Sequence, residues 1–255
     1  MRDRLIICAL LTCCLQAIGG ASHAAILASS LFSSGAEGWR SFSLADTVNP
    51  DFRRALGGES AVVFDGSNGN IAGSIERTDP DFGWQYFVAP AAFLGDQSAA
   101  LGGTLRFQQQ RRDPLVLTLV VPKPPLLGIS DGTTVLVYAN AAAAPVTNRW
   151  TDYLVSFAPD AQGWFVDSLS GLAADSGQLA TVLGNLSKLW IVGEWFAGAI
   201  TDDQPETIAL DNVILTGLDA TPAPIPLTGT LWLMLTAGLL LATRAHKQHR
   251  HPQSA

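Results

Sequence analysis

Cysteine and histidine are almost absent from this chain, and the few present lie at its ends. Cys8, Cys13 and Cys14 all fall within the apolar first segment, which is removed on export, so the mature protein has no cysteine. Disulfides, thiolate nucleophiles and thiolate zinc sites are thereby excluded. The four histidines, His23, His246, His249 and His251, are equally peripheral. Without either residue type the middle of the chain can build no Ser-His-Asp or Cys-His apparatus and no imidazole zinc site. Charge is also sparse, at 15% against 48% hydrophobic residues, the composition of a folded domain rather than a charge-expanded chain. Basic residues are the scarcer sign. The span 25–226 holds 10 of them against 21 acids, a net of −11. Arg111-Arg112 is only a dipeptide followed by Asp113, so nucleic acid is not an expected partner. The acidic balance serves solubility and is compatible with oxygen-rich sites for a hard cation such as calcium.

The ends carry sorting information. Arg2 and Arg4 precede the apolar run Leu5 to Ile18, and small residues up to Ala24 follow. This is the layout of a signal peptide, 1–24, cut by signal peptidase between Ala24 and Ala25. At the other end a Pro-rich segment, 220–226, leads into the uncharged stretch 227–243 and a basic tail, 244–255, beginning at Arg244. About 17 apolar residues are near the lower limit for a membrane-spanning helix, and the cations behind it hold the tail on the cytoplasmic side. Proline pair, short helix and basic cluster, in that order, resemble the PEP-CTERM sorting signal, with Pro224-Ile225-Pro226 standing where that signal has Pro-Glu-Pro. The resemblance implies processing by an exosortase-type enzyme; an ordinary single-pass anchor is the alternative. Either route implies a bacterial inner membrane with the domain facing outward, and the first leads on to the cell surface or matrix.

Between the ends, 25–219 is long enough for one β-sandwich with a sizeable core. Strand-like segments recur between turn signals at Ala61–Phe64, Trp84–Ala89, Thr104–Gln108, Leu115–Val121, Thr133–Tyr138, Tyr153–Phe157, Leu189–Glu194 and Ile208–Thr216. Eight strands suit a jelly roll. One segment has helical spacing instead: Asp175 with Gln178 forms a capping-box pattern ahead of Leu179, Val182, Leu183 and Leu186, a short amphipathic helix that seals the sandwich edge.

A set of residues in order then carries a family resemblance. Gly38-Trp39, Trp84, Tyr86 to Pro90, Phe93 to Ser98 and Leu101 to Leu105 are followed by Pro145, Trp150-Thr151, Tyr153 and Trp164. Val182 to Leu186, Leu189-Trp190-Ile191 and Leu210 to Val213 complete it. Together these resemble the laminin B domain, also called laminin domain IV, from about Gly38 to Leu215. The resemblance implies an all-β jelly-roll sandwich similar to carbohydrate-binding modules, extracellular, with no enzymatic activity and no fixed ligand.

Three groups of residues are candidates for chemistry. Asp79, Asp81, Trp84 and Tyr86 set carboxylates beside aromatics in a loop entering a strand, suited to a cation or a sugar ring; alternation of Trp84, Tyr86 and Val88 equally fits an inward core face. Asp211 is the acid in an otherwise apolar strand and needs backbone hydrogen bonds or a structural calcium. A glycosidase would need a carboxylate pair, for which Glu194 beside Trp195 is the first choice. The expected role is an exported, non-catalytic adhesion module that binds extracellular polysaccharide or envelope protein. The alternatives are a carbohydrate-active enzyme and a purely structural envelope protein.

Overall fold

The alternating segments assemble into two antiparallel sheets. The computed structural model describes residues 24–44, 52, 55–70, 73–79, 84–113, 123–195 and 206–218, all within one compact unit, Ala24–Leu218. In chain order the strands are β1 (Ile26–Ser30), β2 (Arg40–Leu44), β3 (Ala55–Ala61), β4 (Val63–Asp65), β5 (Ser74–Thr78), β6 (Trp84–Val88) and β7 (Thr104–Arg111). They continue with β8 (Leu127–Ser130), β9 (Val135–Tyr138), β10 (Thr151–Ser156), β11 (Trp164–Val166), β12 (Lys188–Val192) and β13 (Thr207–Thr216), with the helix α1 (Ser176–Gly184) between β11 and β12.

A six-stranded sheet runs β10-β7-β13-β5-β4, with β1 also paired to β13. A seven-stranded sheet runs β11-β9-β8-β12-β6-β2-β3. The described residues thus hold thirteen strands where the sequence pattern indicated eight, and Leu115–Val121 lies outside them. The strands that escaped notice, β1, β2, most of β3, β5, β8 and β11, are short or interrupted by serine and glycine. Ser30, Ser41 and Ser74 are buried all the same, because a small hydroxyl fits a tightly packed ladder at little steric cost.

The sheets meet through rings. Phe107 stacks on Tyr153, centroids 5.2 Å apart, and Tyr153 lies 5.2 Å from Trp195. Trp164 joins Phe157 beyond β10 to Tyr138 of β9. Burying each such ring stabilises the fold by about 1.5–3 kcal/mol. By the register of the pairs, Tyr138, Leu127, Ile191 and Phe87 share this inter-sheet face. Trp84, Tyr86 and Val88 therefore lie on the opposite face of the seven-stranded sheet. Their alternation was legible, but it points away from the other sheet, and they are buried nonetheless. The seven-stranded sheet is buried on both faces at β6, β8 and most of β12, as a sheet covered on both sides must be.

α1 forms as its sequence requires. Asp175 accepts from the Gln178 amide and Gln178 reaches back to the Asp175 amide, both halves of a capping box. Leu179, Val182 and Leu183 are fully buried against the sandwich.

Candidate functional site

Of the predicted loop site, Asp81 lies outside the described residues. Asp79 follows β5, is buried, and donates its amide to the Glu206 carbonyl at 2.8 Å. Trp84 and Tyr86 are only 2% and 1% exposed. The Tyr86 hydroxyl donates to the Pro125 carbonyl at 3.3 Å, and burial pushes its ionisation well above the ordinary phenol value. These rings form the wall of a core and offer no open platform to solvent.

The same face of the sheet does carry a groove. Phe42, Phe52, Tyr86 and Trp190 form a ring cluster: Phe52 lies 4.8 Å from Tyr86 and 4.9 Å from Trp190, and Phe42 lies 5.8 Å from Tyr86 and 6.0 Å from Trp190. Register explains the grouping, since Phe42 pairs with Tyr86 and Val88 with Trp190 across neighbouring strands. Beside the cluster is a cavity of about 760 Å³ floored by Phe42, Phe52, Trp190 and Val135. Its rim carries Ser130, Thr133 and Ser187 with the Glu59–Lys188 ion pair. Apolar floor, hydroxyl rim and a compensated charge pair can hold a ligand that has one apolar face and many hydroxyls.

Asp211 is fully buried in β13. Its carboxylate accepts the Asn70 amide at 2.8 Å and the Asn212 amide at 2.6 Å, while the Asn212 side chain also donates to it. Asn212 sits at φ 50° and marks a bulge in the pairing with β7. Desolvation raises the carboxyl above its ordinary range, the two amides oppose this, and the charge of Glu37 adds to it. Among the described residues no group of three Asp, Glu, His or Cys side chains could hold a metal.

Glu194, the first choice for hydrolysis, and nearby Glu206 are buried in packing. Glu194 accepts the Gln85 amide at 3.1 Å, and Glu206 accepts the Trp195 amide at 3.1 Å. Neither lines the groove. At the processing sites, Ala24 and Ala25 are exposed just before β1. Pro224, Ile225, Pro226, Arg244 and the apolar stretch 227–243 lie outside the described residues, among which no helix is long and apolar enough to cross a membrane.

The sequence pattern of Laminin B (Domain IV) matches residues 86–224. The chain belongs to the Laminin B family. No curated protein sequence matches it. Among solved structures it is similar to the L4b domain of human laminin alpha-2, at 13% identity, a TM-score of 0.51 and coverage of 75% of this chain and 98% of that one. A family 11 carbohydrate-binding module of Clostridium thermocellum follows at 15% identity and TM-score 0.42, covering 78% and 96%. The CBM22-1 xylan-binding domain of Paenibacillus barcinonensis aligns at 12% identity and TM-score 0.40, covering 79% and 99%. The first of these likenesses shows the fold: a laminin B sandwich of two sheets with one short helix.

In this laminin B domain the groove residues Phe42, Phe52 and Lys188 carry no signal in the sequence that marks them as part of a site. Lys188, Trp190 and Val192 do alternate along β12, which hinted at a shared face. Nothing in the sequence said which rings from β2, β6 and β12 converge, because that follows from strand order.

Proposed function

We propose that the chain is an exported, non-catalytic surface or matrix module that binds a neutral glycan in the groove beside Trp190. The carrying observation is the cavity itself, with aromatic rings below and serine and threonine hydroxyls around it. The apolar face of a pyranose packs on such rings while its hydroxyls meet the rim. Membership in a laminin domain family supports an extracellular setting. The test is an array of neutral and charged polysaccharides probed with the wild-type protein and with Trp190→Ala. Binding that Trp190→Ala lowers at least about tenfold is expected; a silent array, with envelope proteins captured instead, would favour the purely structural role. Release of shortened glycan would move the protein to the enzymes.

Delivery is part of the same proposal. Signal peptidase cuts after Ala24, the stretch 227–243 holds the chain in the inner membrane, and an exosortase-type enzyme processes it near Pro224-Ile225-Pro226, ahead of the Arg244 cluster. The order of those features in the sequence supports this. A structural calcium at Asp211 belongs to the proposal too, with its role confined to holding β13 and the segment near Asn70 together.

A further inference from the structure

The four rings of the cluster beside the groove are not held alike. Phe42, Tyr86 and Trp190 belong to β2, β6 and β12 and are fixed by ladder pairing. Phe52 belongs to no strand, yet it is only 3% exposed. Its ring lies over the middle of β8 at Gly128. A Cβ at that glycine would come within 3.0 Å of Phe52 Cε1, 3.1 Å of its Cζ and 3.0 Å of Trp190 Cε3. Glycine inside a strand commonly marks a place where another group approaches the backbone closely, and here the group is a ring from this same chain. Gly128 pairs with Trp190 on one side and Val137 on the other. The bare backbone of β8 therefore forms a hollow in the sheet, flanked by an indole, and Phe52 fills it. Phe52 meets the Trp190 indole with centroids 4.9 Å apart and planes tilted by 35°, covering the side of the indole on which a pyranose would stack.

We propose that Phe52 is a built-in occupant of the sugar-stacking position, which a glycan entering the groove must displace to lie flat on Trp190 over Gly128. The inference rests on the glycan reading above. It makes Phe52 the residue that sets the affinity of the groove, because only the fraction of molecules with the ring withdrawn is competent to bind and the apparent Kd rises by the inverse of that fraction. The Glu59–Lys188 pair and the hydroxyls stay on the rim in either state.

The experiment uses the full-length protein as wild type, Phe52→Ala, Phe52→Leu, Trp190→Ala and the Phe52→Ala/Trp190→Ala double variant. Each is checked for a cooperative thermal transition. Two readouts are taken: titration with the neutral polysaccharides of the array, and acrylamide quenching of tryptophan fluorescence without ligand. Phe52→Ala is expected to bind about tenfold or more tightly than wild type, with Phe52→Leu between them, and to show extra quenching that the double variant lacks. If wild type binds through Trp190 and Phe52→Ala binds equally or more weakly, the ring is part of the platform and the displacement idea falls while the glycan reading stands. If extra quenching appears but wild type and both Phe52 variants remain silent on every polysaccharide, the glycan reading fails and takes this inference with it. Should Phe52→Ala fail to fold, Phe52→Leu carries the same comparison, and no gain in its affinity overturns the proposal.

Discussion

Asp211 shows how much one buried carboxylate can organise. Two backbone amides, from Asn70 and Asn212, converge on it from segments about 140 residues apart in the chain. Asp211→Ala strands both donors, which costs about 1–3 kcal/mol for each that stays unsatisfied; chemical denaturation should register a loss in that range. Added calcium should raise the melting temperature of wild type but not of Asp211→Ala, and an unchanged wild-type melt would dispose of the metal. Gly73 is the second sensitive point. It sits at φ +114°, and a Cβ there would fall 1.9 Å from the Phe32 carbonyl oxygen. Gly73→Ala should therefore destabilise by more than about 2 kcal/mol, since backbone strain alone costs about 1–3. Glu76 yields a pH prediction. Desolvation raises its carboxyl above the ordinary value of 4.5, Arg112 opposes the rise and Asp65 adds to it. A raised folded value means the native state holds the proton more tightly than the unfolded chain. The stability of wild type relative to Glu76→Gln is thus greatest below pH 4.5 and falls as pH rises through the folded value. Urea melts of the two proteins between pH 3 and 7 should show that slope, and a difference that grows with pH would contradict it.

At the level of elements, legibility followed burial pattern. β10 alternates outward Asp152 and Leu154 with buried Tyr153 and Val155, so its period of two was plain. The N-terminus of α1 was equally plain, because capping uses local residues at fixed offsets. Asp175→Ala should cost about 1 kcal/mol, read as a lower melting midpoint with the sandwich intact. β2 and β5 hid behind their composition: RSFSL and SIERT have few strand-forming residues. They are strands because neighbours supply the pairing, β6 for the first and β13 for the second. β8 was hidden by Gly128, whose missing side chain is what Phe52 requires. Propensity weighs less than the partner ladder in such cases.

Over the whole molecule, the seven-stranded sheet has two unlike faces: one closes the core against the six-stranded sheet, and the other gathers the rings and the groove. The proposed route to the surface makes its own prediction. Replacing Pro224 and Pro226 should leave the C-terminal tail attached, so intact mass of surface-extracted protein should rise by the tail; a tail still present on wild-type surface material would count against exosortase sorting. The sequence by itself determined the absence of cysteine and histidine from the domain, the β-rich class, the capped helix and the family. Those are properties of composition, local spacing and residue order. Only the tertiary structure decided that Trp84 and Tyr86 are buried, that Asp211 is satisfied by amides, and that Phe42, Phe52 and Trp190 meet beside a cavity. Alternation tells which residues share a face, but which face turns outward, and which strands lie side by side, is set by pairing between segments far apart in the chain.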